Sequence, residues 1–495
     1  MKQHFLKSGL TILLCMGALL SCSTEPITEV TGETSDLSSQ TNQTAETEPI
    51  LTSGNPDDLD LCGEVIRLWY TTDWPSYTDL PGEQSGDIVD EAVYSQNLAV
   101  QERLNCTIDF VDSGVYQGEC NKAISTLLLA NDTTFDIYCA TQWNGVILIS
   151  QGLYLNINDM PYLSLHEPWW DLAYMEQTSM GTDRIYTLVG DCIIDRLRYL
   201  SCVYYNKQMY RDLFGDADGL YQTVLDGEWT YETLKTISET VFSDINNNGK
   251  TDEEDTIGAR LCWNQDIMAL QYCTGVPLTA RDEDNIPYLV ANSEKMADVA
   301  RDLYTLSYET NGIIYGDKKE AEEIELATKQ FTEDKSMFLF GQLQTSESLR
   351  DMKTDFGVIP TPKYDAEQKD YYSYMFEAMR LMALPYNCQK PETVCAVLEE
   401  LAFEGYTAVS PVYYGTVLKN KYARDDISSQ MIDMVRNGLH TDIALVHVTE
   451  WNVLSCYVRY LLQKKSYDFA SYYEKMEKVT VSSGEKFIAN FLENT

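Results

Sequence analysis

Apolar residues first gather between Leu10 and Leu20, behind Lys2 and Lys7. The run holds roughly a dozen, too few to span a bilayer as a helix. From Ser23 to about Asp60 the chain is Ser, Thr, Glu, Asp, Gln and Pro with few large apolar side chains. Such a stretch buries too little surface to offset the entropy lost on ordering, so it reads as a tether, roughly 30 to 40 Å in span as a flexible coil. The pattern then predicts a strand over 64–70, a helix over 87–104 with Ile88, Ala92, Val93, Leu98 and Leu104 on apolar positions, a strand over 107–111, a helix over 121–130 and a strand over 135–140. Strands alternating with helices at this spacing predict βαβ units and a mostly parallel sheet. Ligands of such sheets sit outside the carboxyl ends of the strands. Two of those ends carry Thr71-Thr72-Asp73-Trp74 and Thr141-Gln142-Trp143-Asn144.

A second compact unit is expected from about Tyr204 to Gln344, with an amphipathic helix over 297–308 on Ala297, Val299, Ala300, Leu303, Tyr304 and Leu306. Residues 356–363 predict a strand halted by Pro360 and Pro362, a segment suited to crossing between lobes. A helix over 392–403 and Tyr-rich C-terminal helices follow, with no internal repeat and no second long apolar run. Trp229, just before Thr230, reads as structural: it packs at the start of a helix that Thr230 caps, and Thr233 does not complete a capping box.

The stretch 244–255 fits a twelve-residue calcium loop. Oxygen-bearing side chains fall at Asp244, Asn246, Asn248, Asp252 and Asp255, Gly249 occupies the sharp turn, and Lys250 offers its carbonyl. Asp255 stands where an EF-hand has Glu, so only Asp244, Asp252 and Asp255 bring formal charge and the expected affinity is modest. A helix precedes the loop over 234–242 and a strand follows from Thr256, which leaves no second helix to swing open. The expected ion is a structural Ca2+; the alternative is an Asn/Asp turn satisfied by its own side chains.

Charge narrows the partners. Lys and Arg number 36 against 77 Asp and Glu, a net charge of −41. Such a surface repels phosphate backbones and anionic headgroups, which argues against nucleic acid or attachment through basic patches. Beyond Cys15 and Cys22, eleven of the 13 cysteines remain, with no C-x-x-C pair and no zinc spacing. The expectation is mostly reduced, buried thiols. Four histidines, His4, His166, His440 and His447, leave little material for histidine-based catalysis or metal binding.

Two resemblances add to this. Leu19-Leu20-Ser21-Cys22, behind its basic and apolar regions, resembles the lipobox of bacterial lipoproteins. It implies cleavage before Cys22, a diacylglycerol thioether with an acylated amino group on that residue, and a chain held on the extracytoplasmic face of the cell membrane. The ordered set of this lipobox, the acidic tether, Val203-Tyr204-Tyr205-Asn206-Lys207, Gly227-Glu228-Trp229-Thr230-Tyr231, the stretch from Phe356 to Lys363 and that from Pro411 to Asp426 resembles the family-1 extracellular solute-binding lipoproteins, carbohydrate-type receptors of ABC importers. What this implies is an α/β, two-lobed periplasmic-binding-protein-like fold, each lobe a mixed or parallel sheet flanked by helices, with a ligand cleft between lobes. The lobes would be discontinuous and joined by a multi-segment hinge. By analogy with the family's maltose-binding members, crossings fall near 197–201, 357–362 and 398–403. The implied order is a signal over 1–21, a tether over 22–60, lobe 1 over 61–200 and 359–402, lobe 2 over 201–358, and its C-terminal helices over 403–495.

The resemblance also implies a cleft of aromatic plates and hydroxyl-bonding polar groups. Candidates are Asp73, Trp74, Trp143 and Asn144 from the first lobe, Trp263, Asn264, Tyr413 and Tyr414 from the second, and Arg198 beside the first crossing, where ion pairing within the hinge is the alternative. The expected protein is a monomer that captures a carbohydrate, an oligosaccharide by preference, and delivers it to an importer permease. Rival readings are the same fold binding a peptide or polyamine, or presenting its ligand to a sensor. A glycoside-active enzyme is the remote alternative: no Gly-x-Ser-x-Gly, His-Glu-x-x-His or Walker motif occurs, and among 77 acids carboxylate pairs arise by chance.

Overall fold

The computed structural model describes residues 51–71, 80–418 and 426–494. The signal, Cys22, most of the tether, Asp73 and Trp74 lie outside the described residues. The elements below belong to the compact unit Thr52–Thr495.

In chain order the strands are β1 (Glu64–Tyr70), β2 (Cys106–Asp112), β3 (Ile137–Thr141), β4 (Ser201–Asn206), β5 (Ile257–Cys262), β6 (Thr279–Arg281), β7 (Pro287–Leu289), β8 (Ile313–Gly316), β9 (Ser336–Gln342), β10 (Phe356–Ile359) and β11 (Arg380–Ala383). The first sheet has the order β11-β3-β1-β2. Its β1, β2 and β3 are parallel, and β11 pairs antiparallel with β3, Arg380 opposite Thr141. The second sheet has the order β10-β4-β9-β5-β8, parallel across β9-β5-β8 and antiparallel at β4 and β10. β6 and β7 form a separate hairpin. β3 and β9 are buried at every position, as strands covered on both faces must be.

Local chemistry sets the helix ends. The helix Ile88–Leu104 starts on Asp87, whose carboxylate accepts the N–H groups of Val89 and Asp90, and stops at Asn105 in the left-handed region. Glu294–Tyr308 starts on Ser293 in the same manner. No helix among the described residues is long and apolar enough to cross a membrane.

The chain passes from the first sheet to the second between β3 and β4, and returns between β10 and β11. Residues 398–403 lie inside the helix Pro391–Glu404, which packs on Ile88–Leu104 in the first lobe. The chain then leaves through a π-helical turn, Gly405–Val409, and the helix Ser410–Leu418 toward Asp426–Asn437, which packs on β10. Gly405 is required there: a Cβ would collide with the Asp191 carbonyl.

Two boundaries differ from the sequence reading. The folded body begins before residue 60, because Ser53 and Asn55 bond the Glu400 carboxylate and the Gly54 N–H donates to Glu399. These residues bury little apolar surface; they are held by the two acids of one helix. The last helix, Phe469–Asn494, touches both lobes. It packs on Glu294–Tyr308 and Tyr457–Gln463 in the second, while Phe491 meets Tyr186 edge-on and Asn494 donates to the Ser150 carbonyl in the first. All eleven described cysteines are free; nine are buried, Cys388 is half-buried and Cys62 is exposed.

Candidate functional site

At the carboxyl end of β3 the chain turns into the short helix Gln142–Gly145. The Gln142 N–H donates to the Met379 carbonyl at 2.9 Å and the Trp143 N–H to the Glu377 carbonyl at 3.3 Å, so this corner is fastened to the segment leading into β11. Trp143 is half-buried and packs partly on the core. Asn144 is half-buried and donates to Thr141 Oγ1 at 3.5 Å.

The first crossing is fixed by charge. In the one-turn helix Asp195–Arg198, Asp195 takes both arms of Arg380 at 2.8 and 2.9 Å, and neither side chain has exposed surface. The same guanidinium donates to the Thr71 carbonyl beyond β1. Arg196 bonds Asp171 and Asp191, and Asp191 also accepts from Arg436. Arg198 is bidentate on Glu347, at 3.2 and 2.8 Å. The ion pairing considered for Arg198 is thus present.

Arg198 nevertheless borders a cleft of about 540 Å³ at the carboxyl ends of the second lobe's parallel strands. Tyr199 and Phe376 stack in its floor with centroids 6.5 Å apart, and Gln265, Gln342, Gln344 and Glu320 supply polar walls. Asn264 sits behind Glu320 and donates to it at 2.8 Å. Trp263 gives its indole N–H to the Lys318 carbonyl, and the Arg459 guanidinium covers one face of its ring at 5.3 Å. Arg459 also donates to Asn264 Oδ1. Trp263 is therefore a supporting plate with one face already occupied.

Burial raises the Glu320 carboxyl pKa; the Asn264 bond opposes this and the Glu377 charge adds to it. Glu377 is itself buried and receives the Tyr374 hydroxyl. Behind the wall, burial pushes the Asp266 carboxyl up to about 7, opposed by the Cys262 N–H and reinforced by Glu320. Of the candidates, Arg198 lines this cleft; Asn264 bonds its wall residue Glu320, and the Trp143 N–H bonds the carbonyl of Glu377, next to the lining residue Phe376. Tyr413 is fully buried, and Tyr414 lies against Arg436 at 5.6 Å. Both sit on the helix Ser410–Leu418, not on a turn before a helix. The polar residues closing β9 carried a usable signal, since they end a continuous apolar run; Glu320, Glu377 and Arg459 carried none.

In the loop 244–255, Asp244 accepts the N–H groups of Asn248 and Gly249, and Asp255 those of Ile245 and Asp252. Asn246 and Asn248 donate their amides to Asp252, whose carboxyl pKa is lowered by the Glu254 N–H and these amides. Asn247 and Gly249 adopt positive φ, 56° and 73°. Among the described residues no group of three or more His, Cys, Asp or Glu stands in a metal-holding arrangement.

No protein-family model and no curated protein matches the chain. Solved structures do match its fold. UgpB from Mycobacterium tuberculosis, in complex with glycerophosphocholine, superposes with a TM-score of 0.56 at 11% identity, covering 86% of this chain and 100% of that one. An ABC transporter solute-binding protein from Thermotoga lettingae, bound with α-D-tagatose, gives 0.54 at 14% identity over 86% and 100%. An ABC substrate-binding protein from Listeria monocytogenes, in complex with cycloalternan, gives 0.52 at 10% over 86% and 98%. The chain therefore has the two-lobed fold of extracellular solute-binding proteins.

Proposed function

We propose that this protein is an extracytoplasmic receptor that captures a carbohydrate between its lobes and delivers it to an ABC importer. The observation that carries this reading is the cleft at the strand ends, where the half-buried ring of Phe376, backed by the buried Tyr199, meets the amides of Gln265, Gln342 and Gln344. Aromatic faces suit the CH faces of a sugar and amides suit its hydroxyls. The two crossings between sheets allow one lobe to rotate on the other, and a ligand touching both favours the closed form by the difference of its affinities for the two forms. Trp143 and Asn144 are the proposed contacts from the first lobe, together with Asp73 and Trp74.

In the same reading, Cys22 carries the lipid anchor that holds a monomer at the membrane, and a structural Ca2+ sits among Asp244, Asn246, Asn248, Lys250, Asp252 and Asp255. The spacing of these oxygen-bearing residues and the left-handed turn at Asn247 and Gly249 support the ion.

Calorimetric titration with monosaccharides, oligosaccharides and peptides tests the receptor. A glycan should bind and be recovered unchanged, and Trp143→Ala should weaken it at least tenfold with little change in melting temperature. Binding of peptides but no glycan would remove the carbohydrate; conversion of the glycan would make the protein an enzyme.

A further inference from the structure

The three glutamines of the cleft are wired in series. Gln342 ends β9 and is 7% exposed, with its N–H held by Thr345 Oγ1 at 3.1 Å. Its side-chain amide donates to Gln265 Oε1 at 3.5 Å, and its own Oε1 accepts from the Gln344 amide. The row therefore has a direction, each carbonyl taking an N–H from the next residue. It ends at Gln344 Oε1, which is buried and has no hydrogen-bond partner. Among the described residues that line the cleft, no other side chain holds such an atom.

A buried carbonyl oxygen is costly until a donor reaches it. Turning the Gln344 amide over gives no relief, because its oxygen would then face the oxygen of Gln342. Nor do the neighbours supply a donor: Arg198 is matched by Glu347, and the Ser348 hydroxyl goes to the Thr345 carbonyl at 2.7 Å. The residue is held in place by rigid parts. The Gln344 N–H donates to the Arg198 carbonyl at 3.1 Å on the first crossing, and Gln265 opens the helix Gln265–Tyr272. Gln344 is half-buried and lines the cleft, and the soft terminal torsion of a glutamine lets its oxygen swing toward a ligand there.

We infer that Gln344, positioned by the buried Gln342, is the specificity residue of the cleft, its Oε1 accepting the O–H of one free hydroxyl on the bound sugar. This rests on the receptor reading above and narrows it to sugars left unsubstituted at that hydroxyl. An ether, ester, sulfate or phosphate there brings oxygens without the hydrogen, and Oε1 stays unpaired. A site built to bond a hydroxyl rejects the analogue without it more strongly than an apolar pocket rejects a missing methylene. Because the Gln344 backbone is bonded to the first crossing, the hydroxyl is read where the lobes join.

The test is calorimetry on the full folded chain with glucose, galactose, mannose, maltose, maltotriose and cellobiose, then with monodeoxy and monodeoxyfluoro analogues of whichever binds most tightly. Fluorine keeps a weak acceptor and removes the hydrogen. At one hydroxyl both replacements should weaken binding by about tenfold or more. Gln344→Leu should bring the parent sugar down to the level of those two analogues, whereas Gln344→Glu, which still accepts, should keep the preference for the hydroxyl. Gln342→Met should narrow that preference without abolishing binding, and near-UV circular dichroism reports that each variant is folded. Fluoro analogues as tight as the parent at every position would overturn this inference and leave the receptor standing, whether or not the variants fold. An undiminished preference in folded Gln344→Leu would overturn the role of Gln344, and in folded Gln342→Met the positioning by Gln342. Binding of none of these sugars would overturn the carbohydrate reading and this inference together.

Discussion

Arg380 opens a strand with no exposed surface, a position a guanidinium holds only when fully paired. Arg380→Ala strands the Asp195 carboxylate and should cost about 3–5 kcal/mol in denaturant unfolding; a loss below 1 kcal/mol would mean water reaches Asp195. Asp266 makes a second prediction at this scale. Its folded pKa, about 7, lies above that of an unfolded aspartate, so its contribution is full below about pH 4 and is lost as pH rises toward 7. Asp266→Asn should therefore flatten a fall in stability of at most about 1.4 kcal/mol per pH unit over that window, and parallel melting curves for both proteins against pH would refute it. None of this was legible in the sequence. Arg380 interrupts an apolar run, and only the fold shows that Asp195 lies opposite.

At the scale of elements the sequence was more readable, because the period of apolar residues survives without knowledge of partners. The strand Glu64–Tyr70 has the ends expected, the strand expected from Thr256 starts at Ile257, and the helices Ile88–Leu104 and Pro391–Glu404 agree within one residue. β11 and the β6–β7 hairpin were not foreseen; strands of three or four residues are too short to display a period. Site residues follow the same division. Trp143 and Asn264 were named from the ends of readable strands, whereas Arg459, which bonds Asn264, comes from a helix near the C-terminus, beyond any local pattern. The loop 244–255 carries the prediction for this scale. Chelation should lower the melting temperature in calcium-containing buffer, and Asp244→Ala should abolish the difference; a melting temperature indifferent to both would leave an Asx turn closed by its own amides.

For the whole molecule, the last helix is the unexpected part. Phe491 is fully buried against Tyr186, at the end of a helix whose earlier turns rest on the other lobe. Phe491→Ala should cost about 3–5 kcal/mol and, by releasing this tie, raise the radius of gyration of the ligand-free protein in X-ray scattering. An unchanged radius would show that the helix rides on one lobe without restraining the other.

The strand order has one more outcome. Thr141 pairs with Arg380, so the first sheet lacks its edge until the chain is nearly complete. At about 5–20 residues per second, a ribosome needs roughly ten to fifty seconds to supply that missing strand. Until it arrives, Cys139, which pairs with Met382 of that strand, lacks its final neighbour. Surroundings that oxidise sulfur quickly would reach that thiol before the sheet could hide it.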